Sequence, residues 1–544
     1  TKSGQMLTTL QDLFGDRHSN NQALIVPPLT ENDITLQLSY AALGDQIAEL
    51  GNVLVKQAGV NPGDSIASYC PNGLPFVATF LATTFIRCVA CPLNPAYKKA
   101  DLIFYMNDTK PKLLMVPPET EWDSADARQA AKELGVPVWE TALNRRTGEV
   151  SLKPLVSTSI NANRTAERAQ PDDVCLILHT SGTTSRPKAV PLRHRNLVAS
   201  LGNIVKNYRL TPDDRALLVM PLFHVHGMIG VLLSTLASGG SVVVPPRFSA
   251  SAFWPTLAKY SCSWFSAVPT IHQMLLRNVD EHYRALSPSD AAIIKKRHRF
   301  SRSCSAALSA SVMGKLEEAF GVPILEAYAM TEASHQMCAN PLPPQVHKAG
   351  SVGPGTGVDV IILDDNNEVL PQGEIGEISL RAPSVTSGYL NNPEANEKCF
   401  CFVKSKGNIF FRTGDQGYID KDGYIFLTGR LKEIINRAGE KIAPLEIDDI
   451  LLGHPEVNVA VAFGVPDELY GEEVWAAVVP NGELSPALEA TLKEFASSKL
   501  PKFKVPKRIF ITDNVPRTAT GKIQRRIVSA HFQKIASELA RSKL

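Results

Sequence analysis

The chain of 544 residues has few of the features that mark membrane, secreted or disordered proteins. No apolar run reaches the ~18 residues that a membrane-spanning helix needs, which predicts no membrane span. The first twenty residues contain no apolar stretch flanked by basic residues, which predicts no secretory signal. Apolar residues make up 44% of the chain and charged residues 20%, and no tract is of low complexity. This composition is typical of a globular protein with several domains.

Cysteine is also scarce, with nine residues scattered along the chain. The one Cys-x-x-Cys pair, Cys88 and Cys91, lies in an apolar run and has no second pair to complete a metal site. We therefore expect reduced and mostly buried thiols rather than a zinc site.

The net charge of only +2 conceals an uneven distribution. Residues 491–544 contain 13 Lys and Arg against 3 Asp and Glu. Such a basic segment can bind nucleic acid, an anionic membrane surface or the phosphates of a nucleotide. It lacks the interleaved aromatic residues of a base-stacking surface. A basic RNA-binding protein stays open as the alternative to an enzyme.

The chain ends in Ser542-Lys543-Leu544, with Arg541 before it. This tripeptide is the one that the peroxisomal import receptor reads. We therefore expect residence in the peroxisomal matrix. The signal is a receptor-read address and implies nothing about membranes.

Short apolar runs alternate with helical patterns, which predicts an α/β fold with doubly wound mixed sheets. Ser39 is expected to cap a helix that carries an apolar stripe. Short strands with Gly, Asp and Asn turns after Gly350 predict a small β-rich subdomain. The polar sequence of residues 143–173 predicts a connection that runs along the protein surface. The predicted strands are 65–69, 113–116, 174–178, 216–219, 241–244, 264–268, 358–363, 376–380, 424–427, 459–465 and 475–479.

A loop of small hydroxyl residues follows the predicted strand 174–178 and ends in a cation, Lys188. Its backbone N–H groups, hydroxyls and ammonium are all donors, and a polyanion needs several converging donors. The spacing differs from that of the common nucleoside triphosphatases, so transfer of a terminal phosphoryl group is not implied. A merely flexible loop is the alternative for the hydroxyl cluster alone. The predicted phosphate-binding residues are Thr180, Ser181, Gly182, Thr183, Thr184 and Lys188.

This loop and three later motifs resemble those of the adenylate-forming acyl- and aryl-CoA synthetases. The loop resembles Thr-Ser-Gly-Thr-Thr-Gly-x-Pro-Lys-Gly, with Ser185 and Ala189 at two glycine positions. The later motifs are Tyr328-Ala-Met-Thr-Glu332, the turn that contains Asp415, and Pro516-Arg-Thr-Ala-Thr-Gly-Lys522. Together they run from residue 179 to 526 in the order of that family, which makes a chance match a poor explanation.

The resemblance implies two steps that use ATP, Mg²⁺ and CoA. A carboxylate attacks the α-phosphate of ATP, and the thiol of CoA then displaces AMP from the acyl-adenylate. Lys522 would be the catalytic lysine, Thr331 would bind the α-phosphate and Glu332 would hold Mg²⁺. The ribose would bind Asp415 and Arg430, and the implied catalytic set includes His224. The remaining implied nucleotide-binding residues are Glu326, Ala327 and Tyr328.

The resemblance also implies how the domains are divided. A large N-terminal domain of residues 1–430 would include the β-rich subdomain at about 350–430. A small, mobile α+β C-terminal domain of residues 431–544 would rotate about Lys432 between the two steps. That rotation would bring the CoA-binding residues to the cleft. Those residues are Gly439, Glu440 and Lys441, which follow Ala438 at a position where the family usually has glycine.

The side chains expected to line the acid pocket are polar. His226, Ser305 and His335 would make the pocket small and rich in donors, which suits a second carboxylate better than an alkyl tail. Each histidine alone fits an ordinary structural role as well. The run 326–335 and the run 302–305 are similar to those of plant and fungal oxalyl-CoA synthetases, which favours oxalate. A peroxisomal medium- or long-chain fatty acyl-CoA synthetase, or a luciferase-like enzyme, is the alternative.

Overall fold

The computed structural model describes residues 7–15, 19–30, 33–156, 164–180, 187–517 and 523–541. These residues form four β-sheets with helices packed against them. No helix within these ranges is both long and apolar enough to cross a lipid bilayer. The mixed α/β class predicted from the alternating apolar runs is confirmed.

The first part of the chain contributes mainly to a seven-stranded mixed sheet. Its elements are β1 (Gln22–Val26), β2 (Leu36–Ser39), α1 (Tyr40–Lys56), β3 (Ser65–Ser68), α2 (Leu74–Phe85), β4 (Val89–Pro92), α3 (Lys99–Thr109), β5 (Leu113–Val116), α4 (Ala125–Leu134), β6 (Val138–Leu143), β7 (Val150–Pro154), β8 (Val174–Thr180), β9 (Lys188–Arg193) and α5 (His194–Tyr208). The strand order is β7-β6-β5-β3-β4-β8-β9. All four residues of β5 are buried, which explains why this strand has a continuous apolar run.

The second part builds an eight-stranded sheet. Its elements are β10 (Arg215–Leu217), α6 (Val225–Gly227), α7 (Ser234–Ala237), β11 (Ser241–Val243), α8 (Ala250–Lys259), β12 (Trp264–Ala267), α9 (Pro269–Arg277), α10 (Pro288–Arg297), β13 (Phe300–Cys304), α11 (Ala310–Phe320), β14 (Ile324–Met330) and β15 (His335–Ala339). The order is β15-β14-β13-β12-β10-β11-β1-β2, so the first two strands of the chain complete this sheet. Strands β12, β13 and β14 run parallel and end at the same edge.

A five-stranded antiparallel sheet follows, where the sequence predicts a β-rich subdomain. Its elements are β16 (Asp359–Leu363), β17 (Gly376–Arg381), α12 (Pro393–Cys399), β18 (Phe400–Val403), β19 (Asn408–Ile419) and β20 (Ile425–Arg430). Strand β19 is twelve residues long and pairs with β17, β18 and β20. The long strand therefore holds this sheet together.

The last part of the chain forms a second five-stranded sheet. Its elements are β21 (Ile435–Arg437), β22 (Glu440–Ile442), α13 (Pro444–Leu452), β23 (Val457–Asp467), β24 (Gly471–Pro480), α14 (Ala487–Ser497), β25 (Arg508–Ile511) and α15 (Arg525–Arg541). The apolar cores of this part, among the described residues, draw no member from before Ile435, whereas the main core runs from Leu10 to Ile425. This separation supports a division near residue 430, which we keep as a proposal.

Local signals in the sequence account for most element boundaries. Ser39 caps α1 as expected, because its Oγ accepts a hydrogen bond from the N–H of Ala42 at 3.1 Å. The prediction for residues 143–173 is wrong in its first third, where β6 and β7 form a hairpin. Asn144 closes that hairpin, since its carbonyl accepts from the N–H of Gly148. The predicted burial of the thiols is confirmed for seven of the nine cysteines, and the other two are partly exposed.

Candidate active site

The residues predicted for the acid pocket meet at one edge of the eight-stranded sheet. Ser305 directly follows β13, and His335 begins β15. His226 lies on the short helix α6 and contacts Ser305 and, on β12, Ser266. The carboxyl ends of parallel strands are where ligand sites form in open α/β sheets. The fold therefore places the three side chains at a position suited to binding.

His226 is completely buried and is held between two serine hydroxyls. Its Nδ1 lies 3.0 Å from Oγ of Ser305, and its Nε2 lies 2.6 Å from Oγ of Ser266 on β12. The His335 ring is stacked on the His226 ring, with centroids 5.4 Å apart. The structure thus brings His226, Ser305 and His335 together and adds Ser266, which the motifs did not indicate.

The backbone around this cluster adopts unusual conformations. Ser305, Ser334 and His335 have φ angles of +75°, +52° and +91°. Residues other than glycine rarely adopt positive φ, and each such residue costs about 1–3 kcal/mol unless its surroundings hold it there. Strained residues of this kind gather at binding and catalytic sites. The strain therefore supports a functional role for this edge of the sheet.

The absence of a side chain at Gly230 leaves room for the imidazole of His335. Gly230 lies in a buried π-helical segment, Met228–Leu233. A Cβ atom at residue 230 would lie 2.3 Å from Nε2 of His335. Only glycine therefore leaves room for the imidazole in its observed position.

His224 lies at the start of α6 and shapes that turn. Its Nδ1 accepts a hydrogen bond from the N–H of His226 at 3.2 Å. The side chain is partly exposed, whereas His226 is buried. The contact shows that His224 helps to position His226, while its predicted catalytic role stays a prediction.

A β-hairpin carries the predicted phosphate-binding loop. Strands β8 and β9 are antiparallel, and Thr180 is paired with Lys188 at their open end. Ser181, Gly182, Thr183 and Thr184 lie outside the described residues. Lys188 Nζ lies 4.5 Å from the centroid of the Tyr389 ring. Thr180 and Lys188, on either side of the predicted loop, therefore lie next to each other, while phosphate binding stays a prediction.

Glu332 lies near Lys188 in a one-turn helical segment that begins at Thr331. The carboxylate is buried, and its Oε1 accepts a hydrogen bond from the hydroxyl of Tyr389 at 2.8 Å. Burial raises the pKa of the Glu332 carboxyl, while the charges of Lys188 and Arg430 lower it. Tyr389 thus contacts both the predicted metal ligand and the predicted phosphate-binding cation, a role that no motif indicated.

Asp415 is held by neighbours on two strands. It lies within β19 directly opposite Arg430 on β20, rather than in the plain Asx turn that its local sequence also fits. Arg430 Nε lies 3.3 Å from its Oδ1, and the hydroxyl of Tyr328 donates to its Oδ2. Burial raises the pKa of Asp415, while Arg430 and Tyr328 lower it. Three predicted nucleotide-binding residues therefore lie in direct contact.

Glu326 lies deep in β14, beside the buried Ala327. Its Oε1 accepts a hydrogen bond from the N–H of Leu308 at 2.9 Å, and its Oε2 has no hydrogen-bond partner among the described residues. Burial raises the pKa of this carboxyl to about 8. Glu326 is therefore mostly protonated at neutral pH, and it holds the chain segment after β13 in place.

The residues predicted to bind CoA lie in the hairpin of β21 and β22. Ala438 and Gly439 form the turn, with φ of +52° and +89°. Ala438 thus occupies a left-handed conformation that suits glycine better. Glu440 and Lys441 are exposed on β22, and Lys432 is exposed on the segment that connects β20 to β21. Lys522 lies outside the described residues.

Comparison with known proteins explains this arrangement. Residues 15–390 match the family described as AMP-binding enzyme, and residues 446–522 match the AMP-binding enzyme C-terminal domain. The chain belongs to the AMP-binding enzyme family. The adenylate-forming family predicted from the motifs is therefore confirmed.

Two relatives and one solved structure illustrate how far the similarity of this AMP-binding enzyme extends. An oxalate-CoA ligase of Arabidopsis thaliana is 47% identical over 498 residues, covering 91% of this chain and 93% of that protein. An oxalate-CoA ligase of Saccharomyces cerevisiae is 44% identical, with 100% of both chains covered. The crystal structure of ATP-bound MatB from Rhodopseudomonas palustris has a TM-score of 0.83 at 28% identity, covering 97% of this chain and 100% of that one.

The first prediction concerns the space that Gly230 leaves for His335. Replacing Gly230 with Ala should displace the imidazole, because the new Cβ cannot lie 2.3 Å from Nε2. A misplaced group in a reacting site costs on the order of 100-fold in rate. We expect pyrophosphate release with the acid substrate to fall by about this factor, while AMP binding in a calorimeter stays unchanged.

Gly202→Ala is the matched control. Gly202 lies exposed on helix α5, where an added Cβ meets nothing within 4 Å. This variant should keep full activity and gain roughly 0.5–1 kcal/mol of stability. Full activity of the Gly230→Ala enzyme would show that the position of His335 has no bearing on the reaction.

The second prediction concerns the protonation of Glu326. The folded enzyme binds this proton up to about pH 8, whereas the unfolded chain releases it near the ordinary value of 4.5. The contribution of Glu326 to the free energy of unfolding should therefore decrease as pH rises between these values, by about 1.4 kcal/mol per pH unit. Glu326→Gln removes this loss, so the variant should gain stability relative to the parent between pH 5 and 8.

Urea unfolding at pH 5, 6.5, 8 and 9 measures the effect. Glu318→Gln, at an exposed residue of α11, controls for the loss of one carboxylate. The free energy of unfolding of Glu326→Gln should rise progressively above that of the parent as pH increases to 8. Above pH 8 the difference between the two should stay constant. Parallel curves over the whole range would mean that Glu326 is already ionised in the folded enzyme.

Proposed function

We propose that this AMP-binding enzyme is an ATP-dependent oxalate-CoA ligase. Oxalate and ATP would form oxalyl-adenylate and pyrophosphate, and the CoA thiol would then displace AMP to give oxalyl-CoA. The observation that carries the proposal is the buried polar cluster in which His226 lies between Ser266 and Ser305 and stacks on His335. The names of the plant and yeast relatives point to the same acid.

The polarity of the pocket argues for a short dicarboxylate. An alkyl chain placed against Ser305 and the two histidines would remove water from polar groups without replacing its hydrogen bonds. Each polar group left unsatisfied costs about 1–3 kcal/mol. Oxalate has only two carbons, so its second carboxylate would lie against these donors when the first reaches the α-phosphate.

The nucleotide would bind between the hairpin β8–β9 and the β19–β20 pair. Asp415 has an orientation fixed by Arg430 and Tyr328, which suits acceptance of both ribose hydroxyls. Lys188 and the hydroxyls of Thr180 and Thr331 would bind the phosphates. The positive charges would stabilise the negative charge that develops as pyrophosphate leaves. The loop residues 181–184 belong to this proposal as phosphate-binding donors.

Glu332 is the residue that we propose to hold Mg²⁺. Its buried carboxylate would gain from a divalent cation, because burial alone favours the protonated form. The described residues contain no group of three or more His, Cys, Asp and Glu side chains that could hold a metal. Phosphate oxygens of ATP would therefore provide most ligands, as is usual for nucleotide-bound magnesium. Magnesium would neutralise phosphate charge, while Tyr389 keeps the carboxylate oriented.

The second step would use the C-terminal part of the chain. We propose that residues 431–544 rotate about Lys432 once the adenylate has formed, so that Lys522 leaves the site. The hairpin turn with Gly439, Glu440 and Lys441 would then reach the CoA entrance. The separate apolar cores on either side of residue 430 support such a rigid-body motion, since few packed side chains would have to part.

Localisation in the peroxisomal matrix forms part of the proposal. It rests on Ser542-Lys543-Leu544 alone. A fluorescent fusion that leaves this end free should collect in peroxisomes, and one that lacks residues 542–544 should stay in the cytosol with unchanged activity. Cytosolic signal from the complete chain would contradict the assignment.

The third prediction concerns the acid itself. In an assay of pyrophosphate release with ATP, Mg²⁺ and CoA, oxalate should give the highest kcat/KM among oxalate, malonate, butyrate and octanoate. Two or more unsatisfied donors imply discrimination against octanoate on the order of 10²–10⁴-fold. If kcat/KM for octanoate exceeds that for oxalate, the enzyme is a fatty acyl-CoA synthetase.

Lys522→Ala provides the control for the chemistry. Loss of a positioned cation at a developing charge lowers the rate by roughly 10²–10³-fold. Pyrophosphate release should fall by this factor, while thioester formation from prepared oxalyl-adenylate and CoA continues. A variant that fails only in the second step would show that Lys522 serves CoA transfer instead.

A further inference from the structure

Arg302 is a completely buried cation without an anionic partner among the described residues. Its Nε donates to the hydroxyl of Tyr208 at 2.9 Å, and its Nη2 donates to Oε1 of Gln336 at 3.1 Å and to Sγ of Cys304 at 3.8 Å. Its Nη1 donates to Oγ of Ser266 at 3.2 Å. All these acceptors are neutral. A buried charge normally has a counter-ion, so this arrangement calls for one that the described residues do not provide.

The contact with Ser266 connects Arg302 to the acid pocket and fixes a direction of hydrogen bonding. The guanidinium has only donors, so Oγ of Ser266 must accept from it. The Ser266 hydroxyl is completely buried, and Nε2 of His226 is its one other partner among the described residues, so its hydrogen is satisfied by donation to that nitrogen. Nε2 is then the acceptor nitrogen of the imidazole, so that Nδ1 carries the hydrogen of the neutral ring.

The next hydrogen bond, from His226 to Ser305, has the same donor-to-acceptor direction and leads to the surface of the pocket. Nδ1–H of His226 donates to Oγ of Ser305 at 3.0 Å. Ser305 is partly exposed, and the described residues provide no acceptor for its own hydroxyl hydrogen. That hydrogen is thus available to a ligand. A carboxylate oxygen is an acceptor of this kind, and its negative charge complements the buried guanidinium.

We propose that Arg302 determines the preference of the pocket for a second carboxylate on the acid, through Ser266, His226 and Ser305. Arg302 is a positioning residue, since it acts through other side chains. The substrate class that it selects is a short dicarboxylate, and the inference in this form rests on the proposed function. Hydrogen bonds in such a series polarise one another, which strengthens the final donor.

The test compares oxalate with oxamate, in which a neutral amide replaces the second carboxylate. In Arg302→Gln, kcat/KM for oxalate should fall by about 10–100-fold, the usual effect of losing a charge-assisted hydrogen bond. The value for oxamate should fall much less, and KM for ATP should stay unchanged. The oxalate-to-oxamate ratio therefore shrinks. Arg302→Lys should keep part of the ratio, because the charge remains.

Ser266→Ala covers the case in which Arg302→Gln does not fold. This variant interrupts the series while leaving the guanidinium in place, so the ratio should decrease in the same direction by a smaller factor. Arg299→Gln is the matched control, because its guanidinium already pairs with Asp214 at 2.5 Å. The control should leave the ratio unchanged, and thermal unfolding of each variant reports on folding.

The outcomes separate this inference from the proposed function. If oxalate and oxamate fall equally in Arg302→Gln and Ser266→Ala, Arg302 is only structural, and an active parent enzyme still supports the oxalate proposal. If the parent prefers another dicarboxylate, the proposed acid is wrong, and malonate with malonamate replaces the test pair. If the parent accepts only monocarboxylates, both proposals fall.

Discussion

The interaction on which the site depends is the hydrogen bond between two polar side chains buried on neighbouring parallel strands, Arg302 and Ser266. Ser266 on β12 is the direct register partner of Arg302 on β13, and Ser303 is the partner of Glu326 on β14. Ser303 and Glu326 lie on one face of the sheet and Ser266 and Arg302 on the other, since successive residues of a strand alternate between the two faces. On the second face, the guanidinium of Arg302 donates to the buried hydroxyl of Ser266 at 3.2 Å. A shift of register by one residue would turn these side chains to the other face and leave them unpaired. Correct pairing of the sheet and assembly of the pocket are therefore the same event.

Local sequence patterns predicted most of the fold because strands and helix starts have short-range causes. The run 113–116 coincides with β5, and the Ser39 cap opens α1 as expected. The prediction of a polar surface connection over residues 143–173 failed at residues 143–154, because the hairpin there depends on distant partners. One of them is Gln46, whose amide donates to the carbonyl of Gly148 at 2.9 Å. Periodicity cannot reveal a strand that is held by such contacts.

The candidate site shows the same division between local and distant causes. His226, Ser305, His335, Glu332 and Asp415 lie in recognisable motifs, so the sequence alone indicated them as candidates. No local motif indicated Gly230 or Tyr389. Gly230 packs against His335, which is 105 positions away, and Tyr389 forms a hydrogen bond with Glu332, which is 57 positions away. In the sequence, Arg302 is indicated only as part of the run 302–305, which is similar to a run of the oxalyl-CoA synthetases. Its importance depends on the lack of a carboxylate beside it among the described residues, which only the folded chain can show.

Two buried arginines illustrate opposite solutions to burial, and the contrast strengthens the argument for Arg302. Arg525 in the C-terminal part is also largely buried, but Asp448 and Glu433 neutralise it at 2.6 and 3.3 Å. That pairing ties Glu433, next to Lys432, to helix α15, so the proposed rotation would carry both together. Arg302 is completely buried, and its acceptors within the part of the chain that the structure describes are all neutral. Replacing buried charges with apolar residues often stabilises a protein, so an unneutralised guanidinium is a cost to folding. Such costs are typical of sites where activity requires them, and here the missing anion would arrive with the substrate.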